Sequence, residues 1–327
     1  MKVLLTGGAG YIGSHVALSL LDDDHEVTII DNLITGNKKL IPKKTTFVEC
    51  NINDIKIISN LLQKEKFDVL MHFAGYIKVE ESITNPKKYF DNNTKNAKIL
   101  FQCCAENNLN NIVFSSTAAT YGNPLTSELI KETSNLNPIN PYGESKLLVE
   151  QYLQNNPKIN YMILRYFNVA GSDIKMRSGL ISKDSSHLIK VVSESAVGKR
   201  KKVVIFGNDY QTTDGTAVRD YIHVTDLAKI HLEVSKHLIS YKQSNILNCG
   251  YGKGFSVKEV IETANKINKE KIHFELGNRR RGDSAILVSN VTKLKKLINW
   301  EPKYNDLSFI IQTAIDWEKK LQNEQYT

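Results

Sequence analysis

The chain has 327 residues, which is enough to bury a large core in one or two domains. Its 43 basic and 35 acidic residues give a formal net charge of +8, but no basic block is interleaved with aromatic residues, which disfavours nucleic-acid binding. No run of roughly 18 apolar residues predicts a membrane span. The apolar start of the chain breaks at Gly7-Gly8 before a signal peptide can form, so we expect a cytoplasmic protein.

Short apolar runs alternate with helical patterns through the first half of the chain. The predicted strands are Lys2–Leu5, Glu26–Ile30, Thr46–Glu49, Asp68–Phe73, Asn111–Ser115 and Asn160–Arg165. The predicted helices are Tyr11–Leu21, Ile55–Lys64, Asn93–Glu106 and Tyr142–Leu153. This alternation is typical of parallel βαβ units, so we expect an α/β fold with a doubly wound, Rossmann-type parallel sheet. Right-handed crossovers then place the carboxyl ends of the strands at one edge, where ligands bind.

The pattern becomes less regular after Phe167. It predicts a loop at Gly171–Lys183 and a short strand at Val203–Phe206. The predicted helices are Leu188–Gly198, Ser256–Asn268 and Leu307–Gln322. We expect a Rossmann domain over residues 1–167 and a smaller α/β domain over residues 168–327. Because Tyr221–Lys236 resembles another strand and helix, the segment at about 218–240 is expected to rejoin the first domain.

The cysteines do not suggest a disulfide framework. They are Cys50, Cys103, Cys104 and Cys249, and none forms a Cys-x-x-Cys motif. This pattern is typical of reduced thiols in a cytoplasm. The eight histidines show no metal-ligand spacing, so we predict no metal site.

A glycine-rich loop joins the first predicted strand to the first helix. Its sequence, Thr6-Gly7-Gly8-Ala9-Gly10-Tyr11-Ile12-Gly13, satisfies the spacing Gly-x-Gly-x-x-Gly and a second spacing that begins at Gly7. Glycines there let backbone N–H groups approach a pyrophosphate, and the N-terminus of the helix favours the anion. A strand before the loop and a helix after it make the motif specific for a dinucleotide.

An acid stands at the end of the second predicted strand. Asp31 lies eighteen positions after Gly13, where a carboxylate accepts hydrogen bonds from the adenosine ribose and repels a 2′-phosphate. The alternative, a turn cap in Asp31-Asn32, is less favoured. The sequence therefore predicts NAD rather than NADP as the cofactor.

Tyr142 and Lys146 are four residues apart in a predicted helix and therefore share one face. A free tyrosine has a pKa of about 10, which is too high for a base at neutral pH. A nearby ammonium favours the phenolate, so the pair can turn the phenol into a general base. Taken alone, the spacing is more typical of a helix with an exposed lysine and a half-buried tyrosine.

Ser115-Ser116-Thr117 ends the fifth predicted strand, at the expected ligand edge. The Thr117 hydroxyl there could hold a substrate oxygen beside Tyr142. The alternative is simple capping of the end of the strand.

Together these residues resemble the extended short-chain dehydrogenase/reductase superfamily and, within it, the UDP-glucose 4-epimerase (UDP-galactose 4-epimerase) family. The resemblance covers essentially the whole chain. Its more specific motifs lie in the second half, since the superfamily at large lacks them. They are Ile205-Phe206-Gly207-Asn208-Asp209-Tyr210, Asp214-Gly215-Thr216, Val218-Arg219-Asp220-Tyr221-Ile222-His223 and Arg280-Arg281-Gly282-Asp283.

The resemblance implies reversible epimerisation at C4 of UDP-glucose and UDP-galactose through a transient 4-keto intermediate, with tightly bound NAD. The catalytic residues would be Thr117, Tyr142 and Lys146. Tyr142 would take the proton of the 4-hydroxyl, Thr117 would hydrogen-bond that oxygen, and Lys146 would lower the Tyr142 pKa and hold the nicotinamide ribose. NAD would stay bound because the reaction has no net redox change.

The resemblance also implies two sets of binding residues. The cofactor set is Gly7, Gly10, Tyr11, Ile12, Gly13, Asp31, Asn32, Asn51, Ile52, Phe73, Ala74, Asn92, Lys146, Tyr166 and Phe167. The UDP-sugar set is Asn168, His187, Leu188, Phe206, Arg219, Arg280 and Asp283. Members are commonly homodimers, and the helices predicted at Asn93–Glu106 and Tyr142–Leu153 are the candidate interface.

Four positions depart from the pattern of the family. Cys50-Asn51-Ile52 replaces the usual Gly-Asp-Ile beneath the adenine, and Ile77 stands where some members have a phosphate-binding lysine. Leu287 occupies a position where some members carry a tyrosine bordering the sugar. A smaller side chain there could admit N-acetylated sugars.

Alternative interpretations remain. A related UDP-sugar epimerase could act on N-acetylhexosamine or uronic acid substrates. A 4,6-dehydratase is disfavoured because Ala118-Ala119-Thr120 offers no acid beside the active hydroxyl. A non-catalytic NAD sensor is disfavoured because such a protein needs neither Tyr142 nor Lys146. Considered singly, Phe206 could be a core aromatic residue, and Arg219 and Arg280 could be surface charges.

Overall fold

The computed structural model describes residues 1–124, 128–182, 185–268, 271–280 and 283–324. Its strands are β1 (Lys2–Thr6), β2 (Glu26–Asp31), β3 (Thr46–Glu49), β4 (Val69–His72), β5 (Asn111–Thr117), β6 (Asn160–Tyr166), β7 (Asn168–Ala170), β8 (Val203–Phe206), β9 (Val218–His223), β10 (Asn245–Cys249), β11 (Gly254–Ser256), β12 (Phe274–Gly277) and β13 (Ile286–Leu287). Its helices are α1 (Tyr11–Leu21), α2 (Ile55–Lys64), α3 (Val79–Thr84), α4 (Pro86–Tyr89), α5 (Ala97–Glu106), α6 (Pro141–Gln154), α7 (Leu188–Ala196), α8 (Val224–Tyr241), α9 (Val257–Ile267), α10 (Thr292–Ile298) and α11 (Leu307–Asn323).

The large sheet has seven parallel strands in the order β10-β6-β5-β4-β1-β2-β3. The chain therefore changes direction across the sheet between β1 and β4, and the crevice beyond their carboxyl ends is where such sheets bind ligands. The predicted doubly wound α/β fold is confirmed.

Both faces of this sheet are covered by helices. In β1, Val3 and Leu5 face the cluster that contains α1 and α8, whereas Leu4 faces the cluster that contains α2, α5 and α6. Successive strand residues point to opposite faces, so a strand buried on both sides must be apolar throughout. This explains why the strands appear in the sequence as continuous apolar runs.

The second half of the chain builds two smaller sheets. Strand β9 pairs with β7, β11 and β13, and β8 pairs with β12. Helices α7, α9 and α11 pack together beside them in one apolar cluster. Several of these strands have only two to four residues, which is too short for periodicity to reveal from sequence.

The segment at about 218–240 differs in detail from the expected strand and helix. Helix α8 packs on the large sheet beside α1, but β9 joins the smaller sheet. The seventh strand of the large sheet is β10, which pairs with β6. The reason is that β7 follows β6 almost at once and takes β9 as its parallel partner.

A π-helical turn, Phe90–Asn96, precedes α5, where the sequence predicts a regular helix from Asn93. The Asn93 side chain accepts from the Tyr76 N–H (2.8 Å) and donates to the Tyr76 carbonyl (2.9 Å). Such widened turns are frequent at functional sites. This one places Asn93 against Gly75, close to the Lys146 ammonium.

No helix in the described part of the chain is both long and apolar enough to cross a bilayer. All four cysteines are buried and carry free thiols.

Candidate active site

The glycine loop lies at the carboxyl end of β1 and leads into α1. Gly7 has φ of +75°, and a Cβ there would lie 2.6 Å from the backbone nitrogen of Ala74. A Cβ at Gly13 would lie 2.3 Å from the carbonyl oxygen of Gly7. Gly10 caps the N-terminus of α1 in an extended conformation without a side chain of its own. This tight backbone turn therefore requires glycine at both positions, and the N-terminus of α1 that follows it suits a pyrophosphate.

Asp31 ends β2 beside this loop and is 8% exposed. It accepts hydrogen bonds from the N–H groups of Ala9 (3.0 Å) and Leu33 (2.9 Å). Burial raises the Asp31 pKa, and the hydrogen bonds from Leu33 and Ala9 oppose that rise. The carboxylate is therefore held in place with acceptor capacity left for a ribose hydroxyl.

Two residues predicted to lie beneath the adenine of the cofactor, Asn32 and Asn51, contact each other in the structure. Asn32 donates to the side chain of Asn51 (2.9 Å), and Asn51 is held in turn by Asp54. Ile52 is buried in the core, and Ile12 packs against the opposite core cluster. Asparagine at position 51 is thus already fixed beside Asn32, although a carboxylate is usual there in the family it resembles.

Thr117, Tyr142 and Lys146 meet at the carboxyl edge of the large sheet. Thr117 ends β5, while Tyr142 and Lys146 lie in the first turns of α6, whose N-terminus is capped by Asn140. The Lys146 ammonium donates to the carbonyl of Ser115 (2.9 Å), and Lys146 is 3% exposed. The predicted catalytic residues are therefore brought together by one strand and one helix.

Burial dominates the electrostatics of these groups. It raises the pKa of Tyr142, and a hydrogen bond with Thr117 opposes that rise. It lowers the pKa of Lys146 to about 8, and the negative charge of Glu150 opposes that fall. The expected lowering of the Tyr142 pKa by Lys146 stays a prediction. Burial therefore brings the two protonation states of Lys146 closer in energy at neutral pH, whereas it favours the neutral phenol of Tyr142.

The nicotinamide side of the cofactor set is aromatic. The Tyr166 hydroxyl lies 2.5 Å from Nε2 of His231, and the Phe73 ring lies 4.9 Å from the same imidazole. Phe167 packs with Leu287 in a separate small cluster. Asn92 donates to the side chain of Asn93 (3.1 Å). These positions border the strand ends where the cofactor ring is expected.

Four of the predicted UDP-sugar residues, Phe206, Arg219, Arg280 and Asp283, lie together at a partly exposed surface. The Arg280 guanidinium stacks 4.3 Å from the centre of the Phe206 ring and lies 3.4 Å from the Asp283 carboxylate. Arg219 donates to the carbonyl of Val218 (2.9 Å), and desolvation lowers its pKa despite the nearby negative charge of Asp283. Arg281 and Gly282 of the same motif lie outside the described residues.

Asn168, His187 and Leu188 line a cavity of about 30 Å³ together with Tyr11 of the cofactor set. Desolvation, followed by the positive charge of Arg280, lowers the pKa of His187. The cavity therefore brings these three predicted substrate residues together with Tyr11, at the start of α1.

Some residues at this site gave no signal in the sequence. Glu80 of α3 lies 3.7 Å from Arg280, although α3 belongs to the first half of the chain. Burial raises the pKa of Tyr210, and the charges of Asp283, Arg219, Arg279 and Arg280 also act on this pKa. Its place in a motif of the second half was visible in the sequence, but its neighbours become adjacent only on folding.

Comparison with known proteins identifies the family. A model of the NAD dependent epimerase/dehydratase family matches residues 3–250. The chain belongs to this family. It is 42% identical over 324 residues to the UDP-glucose 4-epimerase of Azospirillum brasilense, covering 98% of this chain and 93% of that protein. The resemblance inferred from the motifs is confirmed.

Solved structures of the family superpose on the whole chain. A UDP-glucose-4-epimerase from Stenotrophomonas maltophila, with bound NAD and formylated UDP-arabinopyranose, has a TM-score of 0.95 at 32% identity and covers 99% of both chains. The UDP-Glc/GlcNAc 4-epimerase from Campylobacter jejuni has a TM-score of 0.85 at 46% identity, covering 98% of this chain and 99% of that one. The family likeness thus extends to both halves.

Proposed function

We propose that the chain interconverts UDP-glucose and UDP-galactose by reversible epimerisation at C4. It is an NAD-dependent epimerase. The observation that carries the proposal is the meeting of Thr117, Tyr142 and Lys146 at the sheet edge, between the glycine loop and the arginine surface. Similarity to UDP-glucose 4-epimerases along nearly the full chain supports the same activity.

NAD would be held mainly by the first half of the chain. The backbone of Gly7, Gly10 and Gly13 would carry the pyrophosphate, since the loop leaves no room for side chains there. Asp31 would accept from the adenosine ribose. Lys146 would hold the nicotinamide ribose. NAD, when bound, supplies the hydride acceptor and donor for C4.

The protein's own residues handle the proton. Tyr142 takes the proton of the sugar 4-hydroxyl and returns it at the end of the reaction. Thr117 hydrogen-bonds the same substrate oxygen, which aligns it with the phenol. The Lys146 ammonium stabilises the phenolate form of Tyr142. Because the group that removes the proton also returns it, the enzyme regains its starting protonation state after each passage through the 4-keto sugar.

The UDP part of the substrate would be anchored by the second half of the chain. Arg219 and Arg280 suit the diphosphate because a guanidinium offers charge and paired donors. Phe206 would stack on the uracil, and Asp283 would accept from the uridine ribose. Asn168, His187 and Leu188 would complete the diphosphate side. Anchoring by the nucleotide leaves the sugar free to present either face to the cofactor.

The two ligands are assigned to different parts of the chain, which suggests how the chain divides into domains. We propose that residues 1–167, rejoined by α8 and β10, form the NAD domain and that the remainder of 168–327 forms the UDP-sugar domain. A homodimer through α5 and α6 is supported by the partly exposed apolar side chains of Ile99, Leu147 and Leu148 on these helices. The substitution Leu148→Glu should then give monomers in analytical ultracentrifugation.

Four buried free thiols support a cytoplasmic location.

The test is to incubate the purified protein with UDP-galactose, without added NAD, and to follow the products by proton NMR. Appearance of UDP-glucose up to an equilibrium mixture is expected, because NAD should be retained from the expression host. The substitution Tyr142→Phe should reduce kcat by about 10³-fold, since it removes the general base.

The outcome also separates the alternative substrates. No conversion of UDP-galactose, even with NAD added, would overturn the proposed function. UDP-N-acetylglucosamine and UDP-glucuronate, tested in parallel, would then show whether a related UDP-sugar is the substrate.

A further inference from the structure

Glu150 is a fully buried carboxylate that the reaction above does not use. It lies in α6 one turn after Lys146 and two turns after Tyr142, so the three residues share one face of the helix. Its exposure is 0%. Burying a carboxylate costs free energy unless it is fully partnered, which makes its partners informative.

Those partners are the residues adjacent to the active site on the two neighbouring strands. Glu150 accepts from the Ser116 hydroxyl and from Arg165, whose Nε and Nη2 atoms lie 3.0 and 2.5 Å away. Ser116 precedes Thr117 in β5, and Arg165 precedes Tyr166 in β6. The two strands pair in register at these positions, Ser116 with Arg165 and Thr117 with Tyr166. One carboxylate thus ties β5, β6 and α6 together directly behind the site.

The network continues into the sheet. Arg165 is 1% exposed and also donates to the Tyr121 hydroxyl (2.9 Å), which donates to Asn248 of β10 (2.7 Å). A buried ion pair of this kind can often be replaced by apolar residues without loss of stability. Stability alone is therefore a weak reason for its presence.

The charged groups around Lys146 give a functional reason for the buried pair of Glu150 and Arg165. Burial and the charge of Lys146 lower the pKa of His72 in β4 to about 3, so this imidazole is neutral. Burial raises the pKa values of Tyr142, of Tyr89 in α4 and of Tyr166 in β6, so these phenols are also neutral at pH 7. The negative charge that acts on Lys146 is that of Glu150, which raises the pKa of Lys146 against the effect of burial.

We propose that Glu150 is a positioning residue that supplies the counter-charge for Lys146 and holds the ammonium of that lysine beside Tyr142. Its bonds to Ser116 and Arg165 fix the carboxylate and hold α6 against both strands. Removing the charge would leave the buried ammonium of Lys146 without this counter-charge, and burial would then favour the neutral amine more strongly. The inference rests on the proposed function for its catalytic meaning, but its electrostatic part can be measured without turnover.

The experiment is a pH titration of the ε-carbon NMR signals of the full-length protein labelled with [ε-¹³C]lysine. The Lys146 signal is assigned by its loss in Lys146→Met. In Glu150→Gln the titration midpoint of Lys146 should fall by about one pH unit. The matched control is Glu144→Gln, which removes an exposed acid from the same helix and should leave the midpoint unchanged.

A second variant covers the case in which Glu150→Gln does not fold because Arg165 loses its partner. The double variant Glu150→Met/Arg165→Met replaces the buried pair with apolar side chains and should keep the fold. Its Lys146 midpoint should also fall. An unchanged midpoint in either folded variant would overturn the proposal.

The pH dependence of kcat/KM supplies the functional measurement. The alkaline limb should move to lower pH by the same amount as the Lys146 midpoint, since the ammonium form is the active one. Loss of rate with an unmoved limb would mean that Glu150 is merely structural. If the wild-type protein failed to convert UDP-galactose, the proposed function would fall, whereas the NMR titration would still decide whether Glu150 is the counter-charge.

Discussion

The cofactor side and the UDP side of this site are built differently. On the cofactor side, Asp31, Thr117 and Lys146 are 8%, 9% and 3% exposed. On the UDP side, Phe206 is 36% exposed, and the side chains of Arg280 and Asp283 are 32% and 33% exposed. Asp31 and Lys146 are held by hydrogen bonds with backbone groups. Arg280, in contrast, is held by the side chains of Phe206 and Asp283.

This difference suits two ligands with different residence times. A cofactor retained through the whole cycle gains from a rigid site, because little ordering has to occur on binding. A substrate that enters and leaves in every cycle gains from side chains that can exchange protein partners for the diphosphate. The contact of Arg280 with Glu80, which spans both halves of the chain, is one such exchangeable partner.

The largest expected effect is on the free energy of unfolding and concerns Lys146. Burial moves its pKa from 10.5 to about 8, a change that corresponds to roughly 3 kcal/mol. The folded state thus releases its proton at lower pH than the unfolded state, so stability rises as pH increases from about 8 to 10.5. Lys146→Met should therefore be inactive yet more stable at pH 7, and the gain should shrink above pH 8 in urea denaturation.

The control for this prediction is Lys95→Met, which changes an exposed lysine and should leave stability unaltered. Equal stability of Lys146→Met and wild type at pH 7 would show that the buried ammonium is not strained. Burial of charged groups on the cofactor side would then cost no more folding free energy than on the UDP side.

The next effect concerns the affinity for UDP. Arg219→Gln removes a charged donor from the proposed diphosphate site and should weaken UDP binding by about 100-fold in calorimetry, because charge-assisted hydrogen bonds are strong. NAD content should stay unchanged. Arg279→Gln is the matched control, since Arg279 is paired with Asp209 at the surface. Equal losses in both variants would place the diphosphate elsewhere on this surface.

A smaller effect is expected for NAD. Asp31→Asn keeps the shape of the side chain but removes the charge that accepts from the ribose, so NAD should bind about 30-fold more weakly. The cofactor released on denaturation, measured by chromatography, checks this. UDP affinity should not change, and Asp24→Asn, at an exposed acid, serves as the control. A parallel loss of UDP affinity would mean that the two sides are coupled.

The smallest effect concerns the choice of sugar. Leu287 is partly buried beside Phe167. If the sugar binds there as proposed, a larger side chain at this position would narrow the space next to it. Leu287→Tyr should reduce any kcat/KM for UDP-N-acetylglucosamine by about tenfold relative to UDP-galactose, a size typical of one steric contact. Competition between the two sugars in one NMR sample measures the ratio. An unchanged ratio would remove Leu287 from the sugar pocket.

Elements with a strong local pattern were predictable. Helices α1 and α2 begin and end at the predicted residues, Tyr11–Leu21 and Ile55–Lys64, because glycines, turns and apolar spacing are local signals. The strand β10 was not predicted, and β9, in the segment expected to rejoin the first domain, pairs in the smaller sheet. Which strand a segment pairs with depends on residues far away in the chain, and local periodicity carries no information about them.

By itself, the sequence determined the order of βαβ units, the glycine loop, Asp31 and the spacing of Tyr142 and Lys146, because each depends on nearby residues. Only the tertiary structure decided which distant groups meet there. Arg165 and Ser116 reach Glu150 from two strands, and Glu80 reaches Arg280 from the other half of the chain. Burial sets the charge states of such groups, and burial is a property of the packed chain rather than of any one segment.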